Sequence, residues 1–265
     1  RYPIIYNRMP DTKSSAMVTL NKAFNIATGT YVCVLDDDAY IVENDGIEKL
    51  VKIMENNVQV FACSSNVVDN YGNPNMVISD GKRILTHQEV NDTLGTIEWL
   101  EFHGACTIMR KDIGEALGWY NETFTIYANE MDLSIRAWNM GYKVLYTNTV
   151  TAIHNSSSSK PELRNRFHGF NNILYIINAY FSFKTRLSMY ILTVGVHTIR
   201  MLNVMRKVGI DPIYLLKWFK SATYHGFNIF NPLKRRSITN QLNHEIILNR
   251  LWTSYKMFII GKITH

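Results

Sequence analysis

The sequence predicts an α/β protein: a mixed sheet flanked by helices, followed by a basic helical region. Three observations carry that expectation. Short β-branched apolar runs alternate with longer amphipathic ones over the first 159 residues. Charge divides unevenly: residues 1–159 hold 12 Lys/Arg against 19 Asp/Glu, net −7, whereas residues 160–265 hold 16 against 3, net +13. The basic part reads as long aromatic and apolar stretches with helical spacing. A 46% hydrophobic, 19% charged chain with 14 Gly and 6 Pro is neither disordered nor collagen-like nor low in complexity. We therefore divide it into a sheet domain, 1–159, and a helical region, 160–265, joined at a run of four serines.

The elements follow in order. Residues 2–6 suit a short strand. Residues 14–27 place Met17, Leu20, Phe24 and Ile26 at helical spacing, with Gly29 as a stop. Residues 30–35 form a buried strand that runs into Asp36, Asp37 and Asp38. A helix is expected over 45–55, a strand over 58–63, and a long polar excursion with a hairpin over 66–98. Residues 100–109 suit a strand, followed by a helix from Asp112 and another over 128–140, closed by Gly141. Short strands over 142–147 and 149–153 end the sheet domain.

Beyond the join, 167–183 and 187–199 read as helices separated by Lys184 and Arg186. Each uncharged run is shorter than the roughly 20 residues of a spanning helix. Large aromatics with a basic rim suit helices lying in the interface of an anionic membrane. Trp218, Tyr224, Phe227, Phe230 and Lys234-Arg235-Arg236 continue the pattern. A plain helical subdomain with a solvated basic face is the other reading. Charge without a recognition motif gives no reason to expect nucleic acid. Cys33, Cys63 and Cys106 are odd in number, widely spaced and include no CxxC pair, which argues against a zinc knuckle or a disulfide framework and fits a reducing compartment.

Three adjacent carboxylates after a buried strand repel one another unless a cation or hydrogen-bond donors balance them. In open α/β sheets ligands bind beyond the carboxyl ends of strands. Hard divalent ions take oxygen ligands there and bridge to phosphates. An extended tip would aim Asp36 and Asp38 the same way, one toward a ribose and the other toward a metal. A solvated loop with capping aspartates is the alternative.

The string Val32-Cys33-Val34-Leu35-Asp36-Asp37-Asp38-Ala39 resembles the DxD segment of family 2 glycosyltransferases, which have the GT-A fold. Ala27-Thr28-Gly29-Thr30-Tyr31 is similar to the family's approach to that strand. The segment from His103 to Lys111 resembles the one lining the acceptor side, which implies acceptor contacts for Trp99, His103, Gly104 and Ala105. Gly118-Trp119-Tyr120-Asn121-Glu122, residues 124–136, Gly141-Tyr142-Lys143-Val144 and His154 resemble the later family blocks. The likeness spans residues 2–160 in order and is similar to the rhamnosyltransferase-like and galactofuranosyltransferase-like group.

The resemblance implies Mn²⁺ or Mg²⁺, a nucleotide-diphosphate sugar donor, and a glycan or lipid-linked acceptor. The family has Glu-Asp where this chain has Asn129-Glu130, and the second of the pair is the general base. The role therefore falls on Glu130, whose ordinary pKa is similar and whose reach is longer. Asp132 matches the next family Asp and is the second catalytic candidate; a salt bridge to Arg136, four residues on, is its plainer role. His154 matches a metal-binding His of several relatives, and imidazole complements carboxylates on Mn²⁺. The implied metal set is Asp36, Asp38 and His154. Nucleotide contacts fall on Asp36 and Asp37, with Arg164 and Arg166 as a diphosphate clamp or simply a solvated helix end. The family's first strand, helix and second strand, roughly 50–60 residues, precede the point matching Pro3. The chain is thus expected to be N-terminally incomplete, or to build its donor pocket otherwise. The expected activity is inverting, metal-dependent sugar transfer on the cytoplasmic, inner face of a membrane. The alternatives are a metal-dependent nucleotidyltransferase and a non-catalytic glycan or membrane adaptor with a degenerate donor site.

Overall fold

The structure, a computed structural model, describes residues 15–73, 95–155, 163–209 and 211–230, with residues 5, 75, 89 and 248. The strand expected at 2–6, most of the 66–98 excursion, the serine run and Lys234-Arg235-Arg236 lie outside the described residues. In chain order the elements are α1 (Ala16–Ile26), β1 (Tyr31–Leu35), β2 (Ala39–Ile41), α2 (Gly46–Glu55), β3 (Val60–Val68), β4 (Thr96–Glu98) and β5 (Cys106–Arg110). Then come α3 (Lys111–Leu117), α4 (Asn129–Asn139), β6 (Lys143–His154), α5 (Leu163–Tyr180), α6 (Phe183–Val208) and α7 (Pro212–Phe230).

The strands form one mixed sheet in the order β1-β5-β3-β6-β2. β3 and β6 run parallel at its centre, and β5 is antiparallel to both β1 and β3. Two short strands share the far edge of β6: β4 lies beside 145–147 and β2 beside 152–154. Successive residues alternate between the faces. Ile108 and Leu145 pack with Leu50 and Met54 of α2 on one face. Met109 and Val144 pack with Phe24 of α1, Leu117 of α3, Leu133 of α4 and Phe170 of α5 on the other. The expected helix-flanked mixed sheet is thus the observed one, and α5 shares its core.

Several boundaries differ from expectation, each for a physical reason. β3 continues past 63 to Val68 because its polar residues are paired inside the sheet. Ser65 Oγ donates to the Cys106 carbonyl at 3.2 Å, and Asn66 Oδ1 accepts from the Tyr146 hydroxyl at 3.0 Å. Only Cys106–Arg110 of the expected 100–109 strand is extended; the residues before it form a loop whose His103 N–H donates to Ser64 Oγ. The two strands expected at 142–147 and 149–153 are a single β6, irregular opposite Ser64 and Asn66. α6 runs without interruption through Arg186, whose side chain is buried, 1% exposed. The helix therefore runs 26 residues and is long and apolar enough, by length and composition alone, to cross a membrane.

Candidate active site

The acidic cluster is built by a turn, where the sequence reading expected an extended tip. The Asp36 N–H at the end of β1 donates to the Ala105 carbonyl at 3.1 Å. The Ala39 N–H donates back to the Asp36 carbonyl at 3.0 Å, closing the turn over Asp37 and Asp38. The chain then enters β2, where Ala39 lies opposite His154, and the Asn155 N–H donates to the Asp38 carbonyl at 2.8 Å. This crossing brings the end of β1 to the end of β6. His154 Nε2 lies 3.0 Å from Asp38 Oδ1 and 3.7 Å from Asp36 Oδ2. Asn75 Nδ2 lies 3.3 Å from the other ring nitrogen, so Nε2 faces the carboxylates.

One ligand atom from each of Asp36, Asp38 and His154 falls within 4.8 Å of the others. Two carboxylate oxygens and an imidazole nitrogen make a donor set that suits Mn²⁺ better than Mg²⁺. Burial, with the charges of Asp38 and Asp37, pushes the Asp36 carboxyl up, against the pull of His154. Asp37 is exposed at the crest of the turn and outside the triad.

Glu130 is a further carboxylate close enough to feel the charge of Asp36. It stands in the first turn of α4, just after Tyr127 and Ala128, which adopt left-handed φ values of 65° and 60°. Such residues persist only where their surroundings hold them. Here Asn172 of α5 donates to the carbonyls of Ile126 at 3.0 Å and Tyr127 at 2.9 Å. Glu130 lies against Gly104, where an added Cβ would come within 2.6 Å of Oε1. Only glycine leaves the carboxylate its place. Burial, aided by the Asp36 charge, pushes the Glu130 carboxyl up to about 7.

Three neighbours complete the cleft. The His103 ring nitrogen Nδ1 accepts the Ala105 N–H at 3.1 Å, which leaves Nε2 as the protonated nitrogen of the neutral ring. Burial, with the nearby His154, holds His103 down to about 4, and its ring centroid lies 6.2 Å from that of His154. Tyr120 is buried, its hydroxyl influenced by both Glu130 and Asp36. Asn21 fixes its backbone, donating to the Tyr120 carbonyl and accepting its N–H, each at 2.9 Å. Glu101 was not singled out by the sequence reading. Burial and the Glu130 charge push it up to about 7, and its one sequence signal is a place two residues before His103.

The other expected residues lie elsewhere. Asp132 is 0% exposed and does not face the cleft. Its Oδ2 accepts from Arg136 Nε at 3.0 Å, and its Oδ1 from the Tyr180 hydroxyl at 2.7 Å. Arg136 also donates to the carbonyls of Leu117 and Trp119. Both of its oxygens are engaged in the core, which is the plainer of the two roles expected for Asp132, the ion pair with Arg136. Trp99 and Ala105 are 5% and 1% exposed, so their side chains are core, not acceptor surface. Of that expected set, His103 and Gly104 reach the cleft. Arg166 lines a separate cavity between α5, α6 and α7, and the Arg164 side chain lies outside the described residues.

Residues 3–118 match the family model described as glycosyl transferase family 2. Over 65 residues the chain is 32% identical to the O-antigen biosynthesis protein RfbC of Myxococcus xanthus, covering 24% of this chain and 5% of that protein's length. Similar solved structures include the mannosyltransferase PcManGT of Pyrobaculum calidifontis in complex with GDP-Man and Mn²⁺. It is 15% identical, with a TM-score of 0.48, over 96% of this chain and 67% of that one. GalNAc-T7 with UDP, GalNAc and Mn²⁺ is 14% identical, with a TM-score of 0.46, over 62% of this chain and 35% of that one.

Proposed function

From a chain whose residues 3–118 match the model of glycosyl transferase family 2, we propose an inverting, metal-dependent glycosyltransferase. Its donor is a nucleotide-diphosphate sugar and its acceptor the hydroxyl of a glycan or lipid-linked saccharide. One observation carries this reading. The His103-Gly104 turn touches both halves of a single cleft: the His103 ring neighbours His154 of the acidic triad, and Gly104 abuts Glu130.

Asp36, Asp38 and His154 would hold a divalent cation, which neutralises the charge of a departing diphosphate. Asp36 and the exposed Asp37 are assigned to the nucleotide side. Glu130 takes the proton of the acceptor hydroxyl as that oxygen attacks the anomeric carbon opposite the leaving group. A single displacement inverts the configuration and needs no covalent intermediate. A carboxyl poised near 7 is a stronger base than an ordinary Glu, yet still about half ionised at neutral pH.

The pH dependence follows from the sign of that shift. The base acts deprotonated, so kcat/KM is expected to fall about tenfold per pH unit below about 7 and to level off above it. Initial rates from about pH 5 to pH 9 at saturating Mn²⁺ check this. A profile that is flat or falls as pH rises toward neutrality would remove Glu130 from the role.

The helical region suits peripheral attachment to the cytoplasmic face of an anionic membrane. Ile191 and Ile199 of α6 and Ile213, Leu216 and Phe219 of α7 are exposed, beside the basic Lys217 and Lys220. Apolar side chains with a basic rim are the composition of interfacial helices.

A further inference from the structure

A cavity of about 340 Å³ lies between α5, α6 and α7, apart from the acidic triad. Most of its wall is aromatic or aliphatic. Trp218 stacks on Phe170 with ring centroids 5.3 Å apart, and His197 lies 5.4 Å from Phe170. Two guanidinium groups, Arg166 and Arg200, line the same space. Arg166 Nε is buried without a hydrogen-bond partner among the described residues. A buried guanidinium donor is costly to leave unmatched, so the wall is suited to an anion. Burial and the two arginines hold His197 down to about 4, so it stays neutral and the positive charge is theirs.

The cavity also touches the reaction cleft. Tyr127 forms part of its wall and stands three residues before Glu130 on the left-handed loop fixed by Asn172. Gly169 of α5 faces that loop, with its Cβ position at an ordinary packing distance of 3.5 Å from Tyr127 Cβ. An occupant of the cavity is therefore separated from Glu130 by the thickness of one loop.

We propose that this cavity holds the anionic lipid end of the acceptor: a phosphate on Arg166 and Arg200, with the adjoining hydrocarbon against Phe170 and Trp218. The proposal rests on the transferase reading and narrows its acceptor class to a saccharide carried on an alkyl phosphate. The volume is at the small end of ligand sites. It takes the phosphate and the first carbons, and the remaining chain runs along the exposed apolar residues of α7, which also contributes Trp218.

The test is calorimetry on the full chain with farnesyl phosphate, decyl phosphate, farnesol and inorganic phosphate. The variants are Arg166→Gln and Arg166→Lys. Farnesyl phosphate is expected to bind wild type at least about tenfold more tightly than farnesol or inorganic phosphate do. Arg166→Gln should lose at least about tenfold and Arg166→Lys should recover part of it. Decyl phosphate matching farnesyl phosphate would support the site with a straight-chain phospholipid source; weaker decyl phosphate would support it with an isoprenoid source. As a readout independent of variant folding, farnesyl phosphate should quench wild-type tryptophan emission, and Trp218→Phe should abolish the change. Equal binding of farnesol, equal binding of inorganic phosphate, or an unchanged affinity in folded Arg166→Gln would overturn the proposal. Mn²⁺-dependent nucleotide binding on the same samples separates the two readings. Its loss with farnesyl phosphate binding intact counts against the transferase; the converse counts against this site alone.

Discussion

Glu130→Gln is expected to lower kcat by about 10² to 10⁴-fold while leaving metal-dependent nucleotide binding unchanged. The amide keeps the shape of the side chain beside Gly104, where an added Cβ would lie 2.6 Å from Oε1. It removes the lone pair that takes the acceptor proton. The donor side is held by other residues, Asp36, Asp38 and His154, whose carboxylates and imidazole the substitution leaves in place. Sugar transfer measured at saturating donor, with nucleotide affinity measured in parallel, checks both halves. A variant with wild-type turnover would show that the base is another group, and Glu101, pushed up to about 7 beside it, would be next.

Asp132→Ala is expected to destabilise the fold by about 3–5 kcal/mol, because it strands Arg136 in the core. The Arg136–Asp132 contact is 2.9 Å, with the two side chains 9% and 0% exposed. The loss also leaves the Tyr180 hydroxyl without its 2.7 Å acceptor, which is the tie between α4 and α5. A melting temperature lower by about 5 to 10 °C is the measurable result. Tyr180→Phe, which removes one hydrogen bond and leaves the ion pair, should cost about 1 kcal/mol. A melting point unchanged in Asp132→Ala would return Asp132 to consideration as a group acting in the cleft.

The layered order of strands and helices is legible in the sequence because apolar periodicity is a local property. Met17 and Phe24, set at helical spacing in the helix expected over 14–27, are buried on α1, whereas Ile26, grouped with them, is exposed at the end of that helix. The far end of β3 is not legible, since Ser64, Ser65 and Asn66 look like loop residues until Cys106 and Tyr146 supply their partners. The acidic triad is legible as a residue set through resemblance, but its geometry is not. It depends on a turn and on β2, a strand of three residues, too short for any pattern to announce. Asp132 and Arg136 show both sides at once. Their spacing of four predicts the ion pair, whereas the third partner, Tyr180, is 48 residues away. Arg166 misleads for the converse reason: its place near the acidic domain in sequence says nothing of the cavity into which α5 turns it. Trp99 and Ala105 sit in the segment that resembles an acceptor face, but the loop buries them and leaves only His103 and Gly104 at the cleft.

Whether the acidic triad binds a metal-nucleotide donor is decided by calorimetric titration of UDP, GDP and dTDP into the full chain. It is done with Mn²⁺, with EDTA, and with Asp38→Asn, which changes the carboxylate 3.0 Å from His154 Nε2. One nucleotide is expected to bind with Mn²⁺, and its binding to fall at least about tenfold in EDTA and in Asp38→Asn. Binding that persists undiminished in EDTA and in the variant, or no binding of any nucleotide with Mn²⁺ present, would contradict a metal-nucleotide site at the triad.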